Sequence, residues 1–376
     1  MIKILHLITD LSTGGAEMML YKLLSRMDNS RFQNVVVSLT DKGTLGGPIE
    51  DMVIPVFTLG MHRKLPNPMS LLRLLRILRK ERPQILQTWL YHADLFGLLA
   101  GKFVHVPAIV WNLRCTDADS RHYSKLSAFI VYILAKLSAF PDTVLVNSKA
   151  GLQLHEALGY HPQRWLLVPN GFDLDQFRPN SEARIKLRLE LDLPGDAFLI
   201  GLVARYDSMK DHATFLNAAS LLVKDYPDIH FVLVGRGVDY NNSDLINIIT
   251  SLGIEKNIHL LGERRNIPNI TAALDIASSS SYGEGFPNVV GEAMACGVPC
   301  VVTDVGDSAL LVGDTGRLVS PKNSYSLCEA WHELIKMGQD ERRRLGIAAR
   351  CRIRENFSLP SIVAQYEKLY EELSVR

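Results

Sequence analysis

Short apolar runs alternate along this chain with longer stretches whose apolar positions recur every three or four residues. The runs Lys3–Ile8, Asn34–Leu39, Ile54–Leu59, Gln84–Gln87, Ala108–Trp111 and Thr143–Val146 predict strands. Ala16–Met27, Leu71–Lys80 and Ser124–Lys136 lie between them with helical spacing. Such a strand-then-helix rhythm predicts a parallel sheet with helices on both faces. The rhythm restarts with strands at Phe198–Ala204, His230–Val234, His259–Leu261, Ile276–Ser278 and Pro299–Val302, and a helix at Ala213–Lys224. Between the two series lie Val168-Pro169-Asn170-Gly171-Phe172-Asp173 and Arg178-Pro179-Asn180, turn chemistry suited to an interdomain linker. Beyond the second series, Leu359–Leu373 spaces Ile362, Val363, Tyr366, Leu369 and Tyr370 as a helix does. The pattern predicts an α/β protein of two Rossmann-like, doubly wound domains, residues 1–178 and 179–357, with helix 358–376 crossing back onto the first.

Composition narrows this only slightly. A chain of 376 residues that is 47% hydrophobic and 22% charged is globular and long enough for two separate cores. The net charge of +1 conceals an uneven split, +6 over residues 1–180 and −5 over the rest. That basic excess is too small, and unaccompanied by any binding motif, to argue for nucleic acid. Five scattered cysteines imply a reducing compartment without a disulfide framework. The first residues lack a signal-peptide pattern, and the most lipid-like run, Leu126–Leu134, is far short of a spanning helix. A cytoplasmic protein is expected, soluble or at the cytoplasmic face of a membrane. The basic amphipathic segment 71–82, with Arg73, Arg76, Arg79, Lys80 and Arg82, could contact anionic lipid or be a helix with a solvated basic face.

The chemistry concentrates in Ser281-Tyr282-Gly283-Glu284-Gly285-Phe286-Pro287-Asn288-Val289-Val290-Gly291-Glu292. Glu284 stands in a glycine-bounded loop, and Glu292 stands in a helix that Pro287 opens. Eight positions span about 12 Å of helix, a separation that suits one ligand with polar groups at both ends. A glycine loop at a helix start also exposes amides to an anion. On spacing alone, a solvated loop carboxylate and a helix-surface carboxylate explain the pair equally well. A second segment, Gly201-Leu202-Val203-Ala204-Arg205-Tyr206-Asp207-Ser208-Met209-Lys210, brings two cations to a loop between a strand and a helix, an arrangement suited to a diphosphate. A third, Gly14-Gly15-Ala16-Glu17, allows close backbone approach but lacks the third glycine of a dinucleotide fingerprint.

Together these segments resemble the retaining glycosyltransferases of family 4, with their E-x7-E motif and GT-B fold, and the resemblance covers essentially the whole chain. It implies two domains facing across a cleft, with a nucleotide-sugar donor held mainly by the second. It assigns Glu284 to the donor sugar, Glu292 to the ribose, and Arg205 and Lys210 to the pyrophosphate. Gly14, Gly15, Gly235, Arg265, Gly285, Phe286, Pro287, Asn288 and Val289 fall in its donor-binding loops. UDP is the commonest nucleotide of the family. The acceptor is expected to be a glycan or lipid-linked hydroxyl, in polysaccharide or lipopolysaccharide synthesis. No cofactor or metal is implied, because the cations neutralise the leaving group; the D-x-D patterns at Asp117 and Asp173 are discounted on that ground, and the one at Asp173 also reads as turn chemistry. Many relatives carry a histidine near Trp111-Asn112-Leu113-Arg114. Here His92 follows the preceding strand and Arg114 occupies that region, so His92, Arg114 and Asp117 are the acceptor-side candidates. A GT-B nucleotide-sugar epimerase and a non-catalytic partner subunit share this fold; a nicotinamide oxidoreductase would need a better glycine fingerprint.

Overall fold

The computed structural model describes residues 1–61, 68–114 and 125–375. The chain forms two compact units, Met1–Gly171 with Leu359–Arg376, and Phe172–Ser358. The boundary falls earlier than the expected 178 because of where the linker side chains pack. Asn170 accepts a hydrogen bond from Arg114, and Gly171 lies against Leu359 and Ile362, all in the first unit. Phe172 and Phe177 are buried in the second unit's core.

The first unit holds β1 (Ile2–Ile8), α1 (Gly15–Arg26), β2 (Phe32–Ser38), α2 (Gly46–Glu50), β3 (Val56–Thr58), α3 (Pro68–Glu81) and β4 (Ile85–Trp89). There follow α4 (Tyr91–Phe103), β5 (Ala108–Leu113), α5 (Lys125–Leu137), β6 (Thr143–Val146), α6 (Lys149–Ala157) and β7 (Trp165–Leu167). The second unit runs α7 (Ser181–Glu190), β8 (Phe198–Val203), α8 (His212–Leu222), β9 (Ile229–Val234), α9 (Ser243–Leu252), β10 (Ile258–Leu260) and α10 (Ile267–Ala272). It continues with β11 (Ile276–Ser279), α11 (Asn288–Ala295), β12 (Cys300–Thr303), α12 (Ser308–Val312), β13 (Arg317–Val319), α13 (Ser324–Lys336) and α14 (Gly338–Asn356). The last helix, α15 (Leu359–Ser374), returns to the first unit.

Both sheets are parallel, in the orders β3-β2-β1-β4-β5-β6-β7 and β10-β9-β8-β11-β12-β13. Their strands read as unbroken apolar runs because each face is covered, and side chains pointing to opposite faces enter different cores. In β1, Ile4 and Ile8 join one cluster, while Leu5 and Leu7 join another. In β9, Phe231 and Leu233 face one core, and Val232 and Val234 the opposite one.

The helix α15 shows why the last segment belongs with the first unit. Its Ile362, Val363, Tyr366, Leu369, Tyr370 and Leu373 are buried against α1, β1 and β4. Tyr370 donates from its hydroxyl to Gln87, a glutamine buried in the middle of β4. Among the described residues no helix is long and apolar enough to cross a membrane.

Candidate functional site

In a doubly wound sheet, loops at the carboxyl ends of strands part where the strand order reverses, and ligands bind there. In the second unit that point lies between β8 and β11. The loop 204–211 follows β8 and the loop 280–287 follows β11. They are tied together: Tyr282 N–H donates to the Met209 carbonyl at 2.9 Å, and the Ser280 hydroxyl donates to the Lys210 carbonyl at 2.9 Å. On that frame Lys210 Nζ lies 2.5 Å from Glu284 Oε1, which also accepts from the Ser281 hydroxyl at 2.7 Å. Both partners are mostly buried, so the pair is shielded from screening.

The remaining walls require glycine. Gly306 follows β12 with φ +56°, and a Cβ there would lie 2.1 Å from the Glu284 carbonyl oxygen. At Gly235, after β9, a Cβ would lie 2.1 Å from the Ala204 carbonyl oxygen. Both positions let neighbouring strand-end loops close against the site.

The two helices entering this region differ in how their amino-terminal amides are satisfied. Asp211 caps α8 from the left-handed conformation and accepts from Thr214 N–H at 3.1 Å and from its hydroxyl at 2.7 Å. An anion beside Lys210 therefore meets an α8 terminus already capped by a carboxylate. Pro287 stands at the cap of α11, one position before the helix, and supplies no side-chain cap. At that terminus Val290 N–H and Gly291 N–H turn back to the Pro287 carbonyl, and no side chain of the cap competes with an anion.

Arg205 is exposed, and its Nε and Nη2 both donate to Asp207, at 3.0 and 2.9 Å. Glu292 is half-buried on α11, with Gly291 and Ala293 buried beside it. Asn288 and Val289 are half-buried in the first turn of that helix, and Gly285 lies in the loop before it. Phe286 is buried between Phe172 and Phe357, with ring centroids at 6.1 and 5.7 Å, so only its backbone is placed to meet a ligand. Arg265 is exposed before α10, while its neighbour Arg264 pairs with Glu190.

In the first unit, Gly14 caps α1 and Gly15 begins it. The Glu17 carboxylate folds back over Gly14 and is hydrogen-bonded to the backbone at Ala16 and at its own position. Burial pushes its carboxyl above the usual range. His92 sits in the first turn of α4, and burial lowers its pKa, favouring the neutral ring. It lines a cavity of about 410 Å³ with Thr9, Asp10 and Thr40.

Arg114, an acceptor-side candidate, is held by several partners and lies close enough to the Gly14-Gly15 loop for its charge to act on Glu17. Its guanidinium donates to Asn112 at 3.0 Å, to Asn170, and to the Tyr366 hydroxyl at 2.6 Å, and it lies over the Trp89 ring. It joins β5, the start of the linker and α15. Asp117 lies outside the described residues.

Ser281 and Asp207 lie within the segments singled out by sequence but carried no role there, and Ser280 and Gly306 went unnoticed. The available signal was the serine run Ser278–Ser281 at a strand end, where buried hydroxyls need partners that a core does not supply.

Family models match in both units: "Glycosyltransferase Family 4" over residues 13–176 and "Glycosyl transferases group 1" over 197–337. An Escherichia coli UDP-Gal:alpha-D-GlcNAc-diphosphoundecaprenol alpha-1,3-galactosyltransferase is 26% identical, over 100% of this chain and 98% of its own. A Campylobacter jejuni N,N'-diacetylbacillosaminyl-diphospho-undecaprenol alpha-1,3-N-acetylgalactosaminyltransferase is 27% identical, over 86% and 88%. Among solved structures, Anabaena HepE in complex with UDP and glucose superposes with a TM-score of 0.84 at 24% identity, covering 99% of this chain and 100% of that one. That likeness carries the fold.

Proposed function

The chain is a glycosyltransferase of the family 4 type with the GT-B fold, and from that premise we propose that it moves a sugar from a UDP-sugar to a hydroxyl of a lipid-linked glycan, with retention of configuration. The observation that carries the reading is the Lys210–Glu284 pair, built on interlocked loops at the β8/β11 switch point. In this reading Glu284 accepts hydrogen bonds from the donor sugar, and Glu292 accepts them from the ribose. The diphosphate takes over the Lys210 ammonium, lies against the uncapped start of α11 and recruits Arg205 from Asp207.

As the sugar–phosphate bond breaks, negative charge grows on the leaving UDP. Cations and amides gathered around that charge once the donor is bound lower the barrier, so no resident metal is needed for this task. The acceptor hydroxyl attacks from the face that UDP leaves, and its proton passes to the departing phosphate; no protein nucleophile takes part. The lipid-linked acceptors and UDP named for the relatives above support the choice of substrates. They also favour a place in cell-surface polysaccharide synthesis, at the cytoplasmic face of a membrane.

The test has two arms. A thermal-shift screen of nucleotide sugars should single out a UDP-sugar, because binding at 100 times Kd stabilises the fold by about 2.7 kcal/mol. Lys210→Ala should then lower kcat by about 10²–10³, the loss of one charge-stabilising donor. A full-rate Lys210→Ala enzyme, or no response to any UDP-sugar, would overturn the assignment.

A further inference from the structure

The most lipid-like run of the sequence, in α5, has no part in donor chemistry. Its Leu126, Phe129, Ile130 and Ile133 recur at intervals of three and four, so they share one face. That face forms one wall of the 410 Å³ cavity, opposite Leu95 and Phe96 of α4. The polar lining is confined to strand ends: Thr9 and Asp10 after β1, Thr40 after β2, and His92 after β4. Strands β1 and β4 are the pair at which this sheet's order reverses, so the cavity occupies the ligand crevice of the first unit.

Its chemistry is graded. Asp10 and a neutral His92 suit the hydroxyls of a sugar, whereas α5 offers only hydrocarbon. The apolar lining also runs out to the surface. Phe129 lines the cavity while 59% exposed, and Tyr132, one residue past Val131, is 62% exposed with Lys136 Nζ above its ring. A large apolar surface left open beside an apolar cavity marks a ligand or membrane contact.

We propose that this cavity takes the hydrocarbon chain of an amphiphilic acceptor, whose hydroxyl-bearing head lies at the Asp10–His92 rim. The inference rests on the acceptor reading above and sharpens it: α5, and not the basic helix α3, is the lipid-sensing element. Each methylene moved from water into the cavity should tighten binding about fourfold.

The probe is a series of alkyl glucosides, from methyl to octyl, kept below their micelle concentrations and titrated by calorimetry. Affinity should climb about 100-fold or more along the series and level off once the cavity is full. Phe129→Ser and Leu126→Ser should flatten the climb, whereas Leu72→Ser, exposed on α3 and outside the cavity lining, should leave it intact. Emission from the buried Trp89 and Trp111 verifies that the first unit of each variant is folded. Affinity independent of chain length, or a climb that Phe129→Ser leaves unchanged, overturns the proposal. UDP binding measured on the same samples separates the two readings. If UDP binds and chain length has no effect, the lipid inference fails and the glycosyltransferase reading stands.

Discussion

His6 shows how far a single side chain can be fixed by its partners. It is buried in the middle of β1; its Nε2 donates to Asn34 Oδ1 at 3.0 Å, and its Nδ1 accepts from the Trp89 indole at 3.4 Å. Both ring nitrogens are used, and only the neutral ring satisfies both partners. Protonation would set a new N–H against the Trp89 N–H. Burial accordingly lowers the His6 pKa from 6.5 to about 4, against the smaller raising effect of Asn34. A depressed histidine pKa means that the unfolded chain takes up a proton first as pH falls. The stabilisation is intact above about pH 6.5 and is lost progressively down to about pH 4, by about 3 kcal/mol in all. His6→Gln can accept from Trp89 and donate to Asn34 without titrating. Urea unfolding followed by tryptophan emission should show a shallower loss of stability between pH 6.5 and 4 in this variant. An unchanged slope would mean that His6 does not set it. None of this was legible beforehand, since the sequence shows a histidine in an apolar run and not the Asn34 and Trp89 that frame it. The partners of Arg114 were hidden for the same reason: Asn170 and Tyr366 are far away in sequence.

At the scale of elements, legibility followed periodicity. Strands with four or more buried residues were located to within two or three residues at either end, because side chains filling two cores leave an unbroken apolar run. The strands β7 and β13 escaped notice. Each is three residues long and pairs at the edge of its sheet, but the same holds of β3 and β10, which were found; β13 has only two apolar residues, and the apolar Trp165–Leu167 of β7 runs directly into the turn residues of the linker. The Glu284 loop and the Arg205–Lys210 loop stood out by charge and glycine content, but their mutual hydrogen bonds could not be read from spacing. Those bonds make the Glu284 loop sensitive to Gly306, which contacts it from the next strand end. Gly306→Ala meets both a left-handed φ and the Glu284 carbonyl oxygen, so the loop must shift. Misplacement by about 1 Å in a catalytic site costs on the order of 10²-fold in rate. The kcat/KM of Gly306→Ala should fall by about that factor while its melting temperature drops by only a few degrees. Wild-type kcat/KM would show that the loop accommodates the methyl group without moving Glu284.

The whole molecule divides its labour between two cores that share no strand. Each sheet is closed by its own helices, and α15 completes the first unit after the chain has built the second. Donor chemistry, as proposed, falls within Phe172–Ser358, whereas the amphipathic cavity falls within the first unit. A ligand stabilises the structure it contacts, so hydrogen exchange should report the two ligands in different places. UDP added at 100 times Kd should slow exchange in 204–211 and 280–295, by up to the same 100-fold, and most strongly at the first amides of α11. Helix α8 should respond less at its start, since Asp211 already holds Thr214 N–H. An alkyl glucoside should instead protect α4 and α5. This contrast tests more than binding, because α8 and α11 carry the same backbone dipole and differ in their caps. Equal protection at both helix starts would mean that the diphosphate displaces Asp211, and the α11 assignment would have to give way.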